Sequence, residues 1–145
     1  MKKAERHQSD AGQPIVEALA DLRFDSNGLI PAIAQEHCSG EVLMMAWMNA
    51  NSIAETLRTG RVCYWSRSRG QYWRKGESSG NVQSLKEMRI DCDSDTLLLL
   101  VEQQGPACHT GRGNCFYNAV HEDRVVIISD PQGETGTFDG DSNDS

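Results

Sequence analysis

Three carboxylates alternate with a thiol and a hydroxyl in Asp91-Cys92-Asp93-Ser94-Asp95, and the run leads into the apolar stretch Leu97 to Val101. Carboxylates packed this closely repel one another unless a cation lies among them, and all-oxygen donors select a hard one. Asp91, Asp93 and Asp95 are therefore candidate Mg²⁺ ligands; the rival reading is a solvated acidic turn. An EF-hand is excluded, because Thr96 occupies the position that needs glycine and the second half of the loop is a leucine run with strand character. A fully extended segment would put the three aspartates on one face and Cys92 on the other. It would also spread Asp91 and Asp95 over about 13 Å, at ~3.3 Å per residue, so a bend near Ser94 is expected, or only two of the three bind directly.

Cys92, Cys108 and Cys115 form a second candidate set. The last two lie in the glycine-rich stretch GPACHTGRGNC, which can bring thiolates around one point. Clustered thiolates suit zinc, and three protein ligands would leave the fourth tetrahedral position for water, as in catalytic sites. The competing reading makes them small buried hydrophobes. Cys38 and Cys63 fall in apolar, strand-like surroundings and are read that way.

A basic stretch from Arg58 to Lys75 holds six bases (Arg58, Arg61, Arg67, Arg69, Arg74, Lys75) and no acid, interleaved with Tyr64, Trp65, Tyr72 and Trp73. Guanidinium forks suit phosphate and aromatic faces suit a flat heterocycle. Single-stranded nucleic acid would use the same chemistry. The sequel KGESSGN adds hydroxyls and backbone N–H groups in a glycine-flanked turn, which favours a phosphorylated small molecule.

Most of the elements that must hold these residues are strands. LIPAIAQEH and EVLMMAWM are strand-length apolar runs joined through Cys38-Ser39-Gly40 as a hairpin. Further strands are expected at RVCYWSRS, QYWRK, NVQSLKEMRI, TLLLLVEQQ and near CFYNAVH. Two helices interrupt them. One starts at Pro14 with Ile15, Leu19 and Leu22 on one face; the other runs from an Asn49 cap to a Gly60 stop. The fold class is α+β, mainly β.

With 145 residues the chain suits a single domain, here 14–128, between a flexible N-terminal extension (1–13) and an acidic flexible tail (129–145). The net charge of −7 overstates the acidity of the body, because residues 129–145 carry five acids and no base; the rest has 16 acids against 14 bases. That balance argues against a nucleic-acid or membrane-surface binder. Five cysteines and no export signal argue for reduced thiols and a cytoplasmic location.

In order, GLIPAIAQ, WSRSRGQYWRKGESSGN, DCDSD and GPACHTGRGNCF closely resemble the phosphoribosyl-AMP cyclohydrolases of histidine biosynthesis, over about residues 22–118. The resemblance implies a mixed or antiparallel sheet with barrel-like curvature in an intertwined homodimer. It implies hydrolysis of the N1–C6 bond of the adenine ring of phosphoribosyl-AMP, the third step of that pathway. By the same resemblance Cys92, Cys108 and Cys115 match zinc ligands, Cys92 coming from one subunit and the other two from its partner. Asp91, Asp93 and Asp95 match magnesium ligands. Arg67, Arg69, Arg74 and Lys75 would then neutralise the substrate's phosphates, and Ser78, Ser79 and Asn81 would line the site. His109, beside Cys108, is the candidate proton shuttle, since imidazole titrates near neutrality. Asn81 stands where relatives often have histidine, and an amide can only hydrogen-bond. Many relatives carry a fused pyrophosphatase domain for which this chain has no room, so one activity is expected. The alternative is a zinc-stapled dimeric module that binds a nucleotide or single-stranded RNA without turnover.

Overall fold

The structure is a computed structural model and describes residues 12–132. The expected flexible extension (1–13) and acidic tail (129–145) lie outside the described residues, apart from 12–13 and 129–132. Two helices and eight strands follow in the order α1 (Ile15–Ala20), β1 (Ile30–Glu36), β2 (Val42–Met48), α2 (Ala50–Thr59), β3 (Cys63–Ser66), β4 (Gln71–Arg74), β5 (Gln83–Ile90), β6 (Leu97–Gln103), β7 (Asn118–His121) and β8 (Arg124–Ile127). No helix among the described residues is long and apolar enough to cross a membrane.

Strands β1 to β6 form one mixed sheet in the order β4-β3-β2-β1-β6-β5. All neighbours are antiparallel except β1 and β6, which pair in parallel from Ala32 with Leu97 to Glu36 with Val101. The sheet curls until its far parts meet. Arg61 bridges Ser84, Val62 N–H donates to Gln83 O over 3.0 Å, and Leu85 N–H donates to Gly60 O over 2.8 Å.

Period-two alternation decides which side chains the curl encloses. Ile30, Ala32 and Ala34 of β1, Met44, Ala46 and Met48 of β2, and Leu97, Leu99 and Val101 of β6 are all buried and form one core with Tyr64, Trp73 and Ile53. Tyr64 and Trp73 pack with ring centroids 5.4 Å apart, a tilted pair. Helix α2 begins with a reciprocal cap: Ser52 N–H donates to Asn49 Oδ1 (2.8 Å) and Asn49 N–H to Ser52 Oγ (2.9 Å). Gly60 ends it at φ 79. Thr56 Oγ1 then accepts from Cys63 N–H over 2.9 Å, which locks the helix to β3.

The expected elements form, with differences at the edges. Helix α1 has no buried residue, and Ile15 is exposed; only Leu19 and Leu22 of its expected apolar face reach the core. Strand β8 was not anticipated. It pairs with β7 in a separate two-stranded sheet, because Glu122 turns the chain at φ 59. The first residues of the expected flexible tail are bonded: Ser129 O accepts from Arg112 Nε (2.8 Å), and Gln132 N–H donates to Gly111 O (2.7 Å).

Candidate active site

The Asp91–Asp95 run is the turn between β5 and β6, not an extended strand. Ser94 makes the bend at φ 62, a left-handed conformation unusual for a non-glycine residue. One Asp91 carboxylate oxygen accepts the N–H groups of Asp95 (2.9 Å) and Thr96 (3.2 Å). The expected bend near Ser94 is thus present, and the opposite-face placement of Cys92 that a fully extended segment would give does not arise. Ligand atoms of Asp91, Cys92 and Asp93 all lie within 4.8 Å of one another, exposed to solvent. A backbone N–H bond from Asp95 holds the Asp91 carboxyl below its ordinary range, while the hydrogen bond to Asp91 pushes the Asp95 carboxyl up. Carboxylates gathered this closely on one turn are a donor set that a dication fits.

Strand β6 separates this turn from the cysteine loop. The turn enters the strand at Leu97 and the loop leaves it after Gln103, seven residues spanning roughly 20 Å at ~3.3 Å per residue. Among the described residues, Cys92, Cys108 and Cys115 do not come together as a ligand cluster within one chain. The loop itself is well anchored. Cys115 N–H donates to Leu43 O over 2.8 Å, Asn114 Nδ2 to Glu41 Oε2 over 2.7 Å, and Cys108 N–H to Arg112 O over 3.1 Å. Cys108 is buried, and its sulfur accepts a hydrogen bond from the Thr110 hydroxyl at 3.2 Å. Such an outer bond orients the sulfur for a metal, so the loop's donor chemistry fits zinc. Thr110 was missed in the sequence. Its only signal there is the Cys-X-Thr spacing. His109 is exposed on the same turn.

The glycine-flanked turn 76–81 packs directly on this loop. Lys75 is buried, lies 5.3 Å from the Trp73 ring centroid, and donates from Nζ to Ala107 O at 2.7 Å. Gln103 Nε2 donates to Asn81 O (3.2 Å), and Gln83, which accepts from the Tyr64 hydroxyl at 2.7 Å, holds Gln103 in turn (2.9 Å). Asn81 covers Gly105, where any Cβ would collide with its side-chain oxygen. Ser79 Oγ accepts from Asn81 N–H over 3.1 Å, and Ser78 is exposed.

The four expected phosphate-binding bases do not gather at one point. Arg67 and Arg69 occupy the exposed β3–β4 turn, with the Arg67 guanidinium 4.6 Å from the Trp47 ring centroid. Arg74 forms a two-pronged ion pair with Glu55 (2.7 and 3.0 Å), which holds the Glu55 carboxyl below its ordinary range. Lys75 points inward to the cysteine loop. Arg67 and Arg69 lie at one end of the β3–β4 hairpin and Arg74 and Lys75 at the other, where Arg74 is exposed and Lys75 buried. Cys63 is buried as expected, its thiol pushed up to about 12 by burial and then by Glu55. Cys38 is not buried: the structure places it in the exposed β1–β2 turn.

Lys75 is expected to be the main tie between the basic stretch and the cysteine loop. Lys75→Met should lower stability by about 2 kcal/mol, the usual worth of a buried charge-assisted hydrogen bond, because it leaves the Ala107 carbonyl unpaired. A denaturant midpoint unchanged from wild type would show that the bond contributes nothing.

Among the described residues, the curled sheet presents a hydroxyl-bearing turn against a thiol-bearing loop. The family model described as phosphoribosyl-AMP cyclohydrolase matches residues 44–117. Three relatives, each named phosphoribosyl-AMP cyclohydrolase, align over most of the chain. That of Acidiphilium cryptum is 70% identical over 116 residues, covering 80% of this chain and 97% of the relative. That of Halorhodospira halophila is 64% identical over 122 residues, covering 84% and 86%. The Alkalilimnicola ehrlichii protein is 58% identical over 131 residues, covering 90% and 92%. The chain belongs to the phosphoribosyl-AMP cyclohydrolase family.

Proposed function

We propose that the chain hydrolyses the N1–C6 bond of the adenine ring of 1-(5-phosphoribosyl)-AMP as a cytoplasmic, zinc- and magnesium-dependent homodimer of histidine biosynthesis. The observation that carries the reading is the docking of turn 76–81 on the cysteine loop through Lys75, Gln103 and Asn81, in a chain of this family. In the reaction, water adds its oxygen to C6, the C6–N1 bond breaks, and N1 takes up a proton as the ring opens to the carboxamide.

Cys108 and Cys115 of one subunit, with Cys92 of the other, would hold zinc, which when bound supplies Lewis acidity and lowers the pKa of water to about 7. The chain's own residues do the rest. His109, exposed beside Cys108, takes the proton from the attacking water and returns one to N1. Ser78, Ser79 and Asn81 line the ring and ribose with hydroxyl and amide groups, and Arg67 and Arg69 balance the phosphate charge. Arg74 serves this charge only by leaving Glu55, and Lys75 acts by positioning the loop. Asp91, Asp93 and Asp95 would hold Mg²⁺.

The separation of Cys92 from the other thiols along β6 supports sharing of the zinc between subunits. An exposed apolar face supports a second copy: Val120 and Val125 are cross-strand partners on β7 and β8, 73% and 63% exposed, with Ile127 beside them. A two-stranded ribbon with this face in water is marginal alone and gains from a partner.

Ultraviolet absorbance tests the activity directly. Zinc-replete protein given phosphoribosyl-AMP should produce the ring-opened chromophore, and binding without spectral change would instead fit a module that does not turn over. The magnesium assignment is tested separately. Asp93→Asn should raise the Mg²⁺ concentration for half-maximal rate by about tenfold, the low end of the roughly 10–100-fold cost of losing even an outer-shell partner, with zinc content unchanged. An unaltered magnesium requirement would remove Asp93 from the site.

A further inference from the structure

The β1–β2 turn carries a third group of metal-ligating side chains, unrelated to the proposed reaction. Ligand atoms of Glu36, His37 and Cys38 all lie within 4.8 Å of one another, with His37 and Cys38 exposed. The Cys38 sulfur is 3.6 Å from His37 Nε2. For a tetrahedral zinc with Zn–S about 2.3 Å and Zn–N about 2.0–2.1 Å, the sulfur–nitrogen edge is about 3.6 Å. The sulfur is also 3.9 Å from Nδ1, so the thiol lies beside the ring edge, and a rotation of the exposed imidazole brings nitrogen and sulfur to one ion at this spacing.

The third donor is held in place by the fold. Glu36 Oε1 accepts from Cys38 N–H at 3.1 Å, and Oε2 accepts from Gln103 N–H at 3.2 Å. The backbone around it is equally fixed: His37 N–H donates to Val101 O (2.9 Å), Glu36 N–H to Glu41 O (2.8 Å) and Gly40 N–H to Glu36 O (2.9 Å). Gly40 closes the turn at φ 81. Both carboxylate oxygens of Glu36 are thereby oriented by the backbone.

We infer that Glu36, His37 and Cys38 form a solvent-accessible site for a borderline transition-metal dication such as zinc or cobalt. Thiolate and imidazole exclude Mg²⁺ and Ca²⁺ as its guests, since these take oxygen donors. With three protein ligands and an open side the ion exchanges with solvent, unlike a closed four-ligand structural site. The inference does not depend on the cysteines assigned to the reaction.

The test compares metal uptake by the zinc-loaded, full-length protein with that of His37→Ala/Cys38→Ser, under reducing, oxygen-free conditions. On titration with Co²⁺, the unaltered protein should bind one more equivalent per chain than the double variant, with an added thiolate-to-cobalt charge-transfer band. Each single variant should bind this equivalent at least about tenfold more weakly, because losing a direct ligand costs no less than the roughly 10–100-fold of an outer-shell partner. A millimolar excess of Mg²⁺ should leave the band unchanged. Equal uptake by the unaltered protein and the double variant would overturn the site. So would an extra equivalent held without a thiolate band, or its displacement by Mg²⁺.

Discussion

Cys108→Ser is expected to lose at least about 100-fold in turnover and to lose bound zinc with it, because a metal's Lewis acidity supplies several kcal/mol and each 1.36 kcal/mol is tenfold in rate. The serine hydroxyl would still fill the buried position under the Thr110 hydroxyl, so folding should be little changed. Cys92→Ser should be equally inactive even though its side chain is exposed on the far side of β6. Mixing the two inactive variants separates a shared site from a site within one chain. In a mixed dimer one site receives both defects and the other receives none, so about a quarter of the original activity should return after random reassortment of a two-fold dimer. Recovery should appear on subunit exchange and be absent when either variant is assayed alone. A mixture that stays inactive after proven exchange would place all three cysteines within a single chain or outside the site.

Gly76→Ala should be the more damaging of the two methyl groups that can be added at the glycines of turn 76–81. Gly76 has φ 82, and a Cβ there would collide with the backbone of Asn81 and Val82. Backbone atoms cannot rotate aside as a side chain can. The left-handed conformation alone costs alanine about 1 kcal/mol, and displacing a packed turn adds to it, so a loss of about 3 kcal/mol is expected. At this chain length that lowers the melting temperature by roughly 10 °C. Gly80 provides the control. It has nearly the same φ, 84, but nothing lies within 4 Å of its would-be Cβ, so Gly80→Ala should cost only the conformational part. Equal melting temperatures for the two variants would mean that the closeness of turn 76–81 to Val82 has no energetic weight. Because this turn also abuts Gly105 through Asn81, Gly76→Ala should weaken substrate binding even where the variant remains folded.

Much of the fold was legible because local chemistry is one-dimensional. The Asn49 cap and Gly60 stop announce α2, since the groups that end a helix are supplied by neighbours in sequence. The apolar runs in LIPAIAQEH and EVLMMAWM announce strands for the same reason, while the alternation of buried residues within them appears only in the structure. Cys38 was misjudged because free cysteines are usually buried and strand-length apolar runs stand on either side of its hairpin. The Ser39-Gly40 pair that turns the chain puts the thiol outside instead, beside His37 and Glu36. Lys75 was misjudged in the opposite direction. A lysine in a run of arginines reads as surface charge, and only the packing of the cysteine loop against β4 provides the carbonyl that makes its burial affordable.

By itself, then, the sequence determined which donors exist and how they are spaced: three aspartates and a thiol in one hexapeptide, two thiols in one glycine-rich loop, and bases beside a hydroxyl-bearing turn. Spacing along the chain sets local conformation, as the bend at Ser94 bears out. Only the tertiary structure decided which groups meet. The parallel pairing of β1 with β6 and the closure of Val62 onto Gln83 bring turn 76–81 to the cysteine loop. The length of β6 keeps the aspartate turn away from that loop. Those contacts join residues far apart in sequence, and their geometry depends on strand register, twist and burial summed over the whole sheet, which no short window of residues contains.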